Sequence, residues 1–123
     1  MTQKDRQILL KDLSSRLPYG VRYRRFAWDD KRGEECISAK IYSISPDGYV
    51  RNYHEDESDY IDNVRPYLFP LSSITKKRLE ELSEYIDIKN AYVAVDLLNS
   101  HHIDYRGLIE KGLAIDATGL GIY

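Results

Sequence analysis

The 123-residue chain has one cysteine, Cys36, so no internal disulfide can form, and a reducing cytoplasmic setting is the expectation. Long apolar runs are missing too. The longest cover only a few residues where a membrane helix needs about 20, and no basic start leads into an apolar signal region. A soluble, unsecreted protein without membrane attachment is expected. The sequence contains no repeat, low-complexity tract or dividing linker, which points to one domain over residues 1–123. Charge of one sign is not in excess: 18 Lys and Arg face 20 Asp and Glu, so no global attraction to nucleic acid or anionic membrane follows. The halves differ, however, with +4 over residues 1–54 and −6 over residues 55–123, and any polyanion site belongs in the first half. Phe and Trp are scarce, at 2 and 1, whereas Tyr is abundant at 11, favouring half-buried rings whose hydroxyls reach water or a partner.

Residues 3–17 carry Ile8, Leu9, Leu13 and Leu17 near helical spacing, and Pro18 with Gly20 stops the helix. Val21, Tyr23 and Arg25 then alternate with Arg22, Arg24 and Phe26 in a strand that runs past Trp28 into a polar turn at 29–33. Residues 35–44 make a second strand, Ser45-Pro46-Asp47-Gly48 a turn, and residues 49–53 a third strand. The acidic stretch 54–59 reads as a solvated loop. Residues 60–64 suit a short edge strand, and 65–70 must be extended because Pro66 and Pro70 restrain their predecessors. Ser72, Ser73 and Thr75 offer caps to a helix over 76–86, a second helix fits 91–101, and Asp104 reads as the cap of a third through Lys111, ended by a left-handed Gly112. The sum is an α+β domain: an N-terminal helix, three or four antiparallel strands, then two or three C-terminal helices packed on the sheet.

Three segments carry a resemblance. Asn-Ser-His-His-Ile-Asp-Tyr-Arg-Gly-Leu-Ile-Glu-Lys-Gly-Leu-Ala at 99–114, Leu-Pro-Tyr-Gly-Val at 17–21 and Val-Arg-Pro-Tyr-Leu-Phe-Pro-Leu-Ser-Ser-Ile-Thr at 64–75 are similar to small uncharacterised proteins of phages and prophages of gut Bacteroidetes. The resemblance implies a phage or mobile-element origin and brings no activity, fold or catalytic residue with it. In that group acidic residues follow the threonine at the start of the middle helix, whereas here Lys76, Lys77 and Arg78 stand there.

Chemistry concentrates in His101, His102, Asp104, Tyr105 and Arg106. The structural reading is that Asp104 caps the last helix while the histidines and Arg106 tie a helix pair together. The functional readings are a binding surface or, less directly, a small metal-dependent enzyme centred on His101, His102 and Asp104. Adjacent helical residues point about 100° apart, which argues against two neighbouring histidines sharing an ion. Cys36 has no local activating pattern, and nucleophile elbows, phosphate-binding glycine loops and Cys-x-x-Cys pairs are lacking. No metal or cofactor is expected.

Two basic features remain. Arg22 and Arg24 share one strand face, with Arg25, Tyr19, Tyr23 and Trp28 nearby, a combination suited to phosphates and stacked bases, or simply to cross-strand pairs on an exposed sheet. Lys76, Lys77 and Arg78 in a first helical turn oppose the helix dipole and suit an anion, or are tolerated surface charge. With no complete catalytic constellation, the expectation is a non-enzymatic accessory protein that binds a host or phage protein, and the alternative is a nucleic-acid-binding factor using Arg22, Arg24 and Arg25.

Overall fold

A computed structural model describes residues 1–29, 33–53, 58–74, 80 and 91–123. Helix α1 (Gln3–Arg16) begins at a capping box, in which Thr2 Oγ1 accepts from the Asp5 amide and the Asp5 carboxylate accepts from the Thr2 amide. It gives way to a single 3-10 turn at Leu17–Tyr19, closed by Gly20 in the left-handed region at φ 71°. The buried stripe of α1 is half apolar and half charged, with Leu9 and Leu13 beside Asp12 and Arg16, all four fully buried.

Strands β1 (Arg22–Asp29), β2 (Gly33–Ile44), β3 (Tyr49–Asn52) and β4 (Ser58–Tyr60) form an antiparallel meander, a 3-10 turn follows at Ile61–Asn63, and β5 (Arg65–Pro70) pairs antiparallel with β1. The order is therefore β4-β3-β2-β1-β5, and the strands at its two ends are joined by one short turn. Such a connection requires the sheet to curl. The irregularity between Ile41 and Ser43 lies where β2 passes from pairing with β1 to pairing with β3, and bulges of this kind bend strands. Across the enclosed space, the Tyr23 hydroxyl of β1 donates to Asp59 of β4. Alternation sets the inner face: Val21, Tyr23, Ala39, Ile41 and Val50 point inward and join Leu9 and Leu13 of α1 with Ile61, Val64 and Leu68 in one core. Gly48 is required at the β2–β3 turn, because φ is 94° and a Cβ there would come within 3.1 Å of the Tyr60 ring.

Helix α2 (Ala91–Ser100) leads into β6 (Ile103–Asp104), and β7 (Ile115–Asp116) follows. Both short strands run parallel to β5, at Phe69↔Ile103 and Tyr67↔Ile115, so β5 is the seam between the curled sheet and the C-terminal segment. Tyr123 completes that seam. The pairing of β1 with β5 covers Tyr23↔Pro66 and Arg24↔Arg65, and at the next position the Tyr123 hydroxyl is inserted, accepting from the Arg22 amide at 2.9 Å and donating to the Tyr67 carbonyl at 2.7 Å. Burial raises its phenol to about 12.

This architecture corrects the expected one. The described residues form seven strands and one C-terminal helix, in place of three or four strands and two or three such helices. The helix expected at 104–111 is replaced by a strand and turns, because Gly107 sits at φ 71°, which a right-handed helix cannot include. A terminator survives without its helix: the Leu113 amide bonds Leu108 O and the Gly112 amide bonds Ile109 O, the pair of bonds of a Schellman motif. The helix expected at 76–86 lies outside the described residues, apart from Glu80, as do Glu55, Asp56 and Glu57 of the acidic loop. No described helix is long and apolar enough to cross a membrane.

Candidate functional site

The segment from His102 to Arg106 turns inward, toward α1. Asp104 is 5% exposed, and its carboxylate oxygens accept from the amides of Leu108 and Ile109 at 2.8 and 2.9 Å, so it caps a turn rather than a helix. Asp104→Ala is expected to cost about 1–2 kcal/mol in urea unfolding through the two amides left unmatched, without altering partner capture. Arg106 bonds Asp12 at 2.9 Å and the Tyr105 hydroxyl at 2.7 Å, and that hydroxyl donates to Asn99 at the end of α2. Arg16 binds Asp12 through Nε and Nη2 and donates to the Ile103 carbonyl, with its guanidinium 5.2 Å from the centre of the Tyr105 ring. These contacts fasten the C-terminal segment to α1.

His102 adopts φ 58° and stacks on Tyr123, the ring centres 3.7 Å apart and 14° from parallel. Burial, then the positive charges of Arg16 and His101, lower its imidazole to about 4, so it is neutral near pH 7. Its Nδ1 and Arg16 Nη1 are buried without a hydrogen-bond partner. Both Asp104 oxygens serve backbone amides, and among the described residues no group of three His, Cys, Asp or Glu side chains is placed to hold a metal. His101 is exposed, whereas His102 and Asp104 are buried.

The arginine strand divides by face. Arg25, with Tyr23, points into the curl, is 7% exposed and bonds Asp59 at 2.8 Å. Burial and the bond to Asp59 raise the Tyr23 phenol well above its usual range, and Asn52 Nδ2 donates to the same hydroxyl. This pair is unavailable for an extended nucleic-acid surface. Arg22 and Arg24 lie on the outer face, where Arg22 donates to the hydroxyl and carbonyl of Ser38. Lys76, Lys77, Arg78 and the Trp28 side chain fall outside the described residues.

Two features were not singled out from the sequence. The first is the outer face of β2, β3 and β4. Tyr42 packs on Tyr53 at 5.2 Å and Tyr49 on Tyr60 at 5.3 Å, with Arg51 between the two pairs along β3 and the Lys40 ammonium 5.3 Å from the Tyr53 ring centre. Tyr53 is 66% exposed and Tyr49 45%. The alternation Tyr49-Val50-Arg51-Asn52-Tyr53 carries this signal, because Val50 and Asn52 are the buried partners. The second feature is a cleft of about 400 Å³ lined by Tyr23, Arg24, Arg25, Asp59, Asp62, Asn63 and Arg65. Its wall is braced by Arg6 of α1, which grips Asp62 at 2.8 and 2.9 Å and holds that carboxyl below its usual range. Comparisons with protein-family models, curated proteins and solved structures give no match for this chain.

Proposed function

We propose that this protein is a non-enzymatic binding module, an accessory protein of a phage or mobile element, and that it engages another protein through the outer face of β2, β3 and β4. The observation that carries the reading is the set of four paired tyrosines around Arg51 and Lys40, two of them with much of their surface in water. Tyrosine and arginine are the residues that dominate binding energy at protein interfaces, and rings already packed in pairs lose little freedom on docking. The phage or mobile-element origin rests on the resemblance of the three segments described above.

Arg22 and Arg24 of β1 share this outer face, which favours nucleic acid as a second reading. Glu55, Asp56 and Glu57 follow Tyr53 closely in the sequence, and a run of acidic residues so near in the chain disfavours a polyanion. A protein partner of mixed charge fits both signs. The test is affinity capture from a bacterial host with the wild type and with Tyr49→Ala/Tyr53→Ala, scored for stoichiometric protein and for ultraviolet absorbance before and after nuclease. The double variant is expected to weaken capture of the partner by about tenfold or more while melting like the wild type. Capture that ignores both tyrosines removes the proposal; absorbance lost on nuclease treatment, without a protein band, transfers it to nucleic acid.

A further inference from the structure

Between the two tyrosine pairs of the outer face lies a strip with a chemistry of its own. Tyr49 and Tyr53 stand two residues before and two after Arg51, so in extended chain all three side chains share one face, with the tyrosines about 13 Å apart and the arginine midway. Across the strands Arg51 is the register partner of Ser43 in β2 and of Ser58 in β4, two short side chains that leave it room. Tyr42 and Tyr60 thicken the walls through their ring contacts with Tyr53 and Tyr49. The result is a trough crossing three strands, aromatic at both walls, with one guanidinium and two serines along its floor. Arg51 is exposed, and among the described residues its guanidinium meets no carboxylate. The Lys40 ammonium differs, being drawn to the Tyr53 ring.

A guanidinium without a counter-charge, set among aromatic side chains, is the form that binding hot spots take, and one carboxylate fills its planar fork through two parallel bonds. The spacing sets the rest. An extended partner segment repeats its side chains on one face at every second residue, the interval that separates Tyr49, Arg51 and Tyr53. An acidic residue over Arg51 therefore carries the residues two before and two after it onto the tyrosine pairs, where apolar side chains lose water-exposed surface. We propose that the trough binds an extended segment of the partner protein with the pattern apolar-x-acidic-x-apolar, its central carboxylate paired with Arg51 and its flanking side chains on the Tyr49/Tyr60 and Tyr42/Tyr53 pairs. This inference rests on the reading of the outer face as the partner-binding surface and names what the partner presents there.

The probes are two synthetic peptides, acetyl-Leu-Ser-Glu-Ser-Leu-amide and its Gln counterpart, titrated to millimolar concentrations into the isotope-labelled full chain at low ionic strength and followed by amide and guanidinium NMR shifts. The Glu peptide is expected to bind saturably, to move the signals of Ser43, Arg51 and Ser58, and to bind about fivefold tighter than the Gln peptide, the upper range for an exposed ion pair. Arg51→Gln changes an exposed position, so it is expected to melt like the wild type and to bind both peptides alike. Tyr49→Ala/Tyr53→Ala is expected to weaken both. Equal affinity of the wild type for the two peptides, a Glu preference that survives in Arg51→Gln, binding that ignores the tyrosines, or no saturable shift with either peptide overturns the inference. Its failure is distinct from that of the broader reading. Equal binding of both peptides that is lost in the tyrosine variant leaves the tyrosine face as the docking surface without a carboxylate at Arg51, whereas partner capture that ignores both tyrosines removes the reading itself.

Discussion

Asp12→Ala is expected to destabilise the protein by about 3–5 kcal/mol, the usual cost of stripping the partner from a buried ion. Asp12 and Arg16 are both fully buried, one turn apart on α1, and Arg106 reaches Asp12 from the C-terminal segment at 2.9 Å. Without the carboxylate, Arg16 keeps only the Ile103 carbonyl as a hydrogen-bond acceptor, and its Nη1 already lacks one. The guanidinium cannot escape by losing its proton. Domains of this size are stable by roughly 5–15 kcal/mol, so the variant should stand near the edge of folding. Urea unfolding followed by circular dichroism measures the loss. Asp12→Leu combined with Arg16→Met removes both charges, and is expected to be more stable than Asp12→Ala although it changes more atoms. A single-variant cost below about 1 kcal/mol would show that the triad does not brace the fold.

The same triad shows what was legible in the sequence. Apolar periodicity places a helix over residues 3–17, and α1 covers Gln3–Arg16, but that spacing gives no reason to bury Asp12 and Arg16. They are buried because each neutralises the other at i,i+4, and because Arg106, 94 positions away, adds a second cation to the shared carboxylate. No local pattern encodes that distance. Strand alternation likewise separated Tyr23 and Arg25 from Arg22 and Arg24, yet which set faces inward depends on the sheet curling until Asp59 meets Arg25. The density of His101 to Arg106 was readable, and its direction was not: parallel pairing of Ile103 and Asp104 with β5 turns the segment toward α1, where its polar groups close a structural network. Two-residue strands such as β6 and β7 have no periodicity of their own. Their existence is set by the edge of β5.

Stability is expected to fall as the pH drops from about 6.5 to about 4, by roughly 3 kcal/mol from His102 alone. The sign follows from where the proton binds first. An unfolded chain protonates this imidazole near its ordinary value of 6.5, whereas the folded chain resists until about 4, so over that interval the unfolded state holds more protons and gains on the native state. Above the interval the contribution is fully present, and below it nothing remains to lose. The resistance is physical: the ring is 7% exposed, lies flat against Tyr123, and would bring a second cation toward Arg16. Carboxylates also titrate in this range, so the informative quantity is the difference between the wild type and His102→Asn. Asparagine tolerates the left-handed backbone at φ 58° and has no proton to gain. Its stability near neutral pH should be lower, through loss of the stack on Tyr123, while its decline toward pH 4 should be shallower by the stated amount. Parallel curves for the two proteins would mean that His102 takes up its proton without opposing the fold, and that Tyr123 and Arg16 do not hold it neutral.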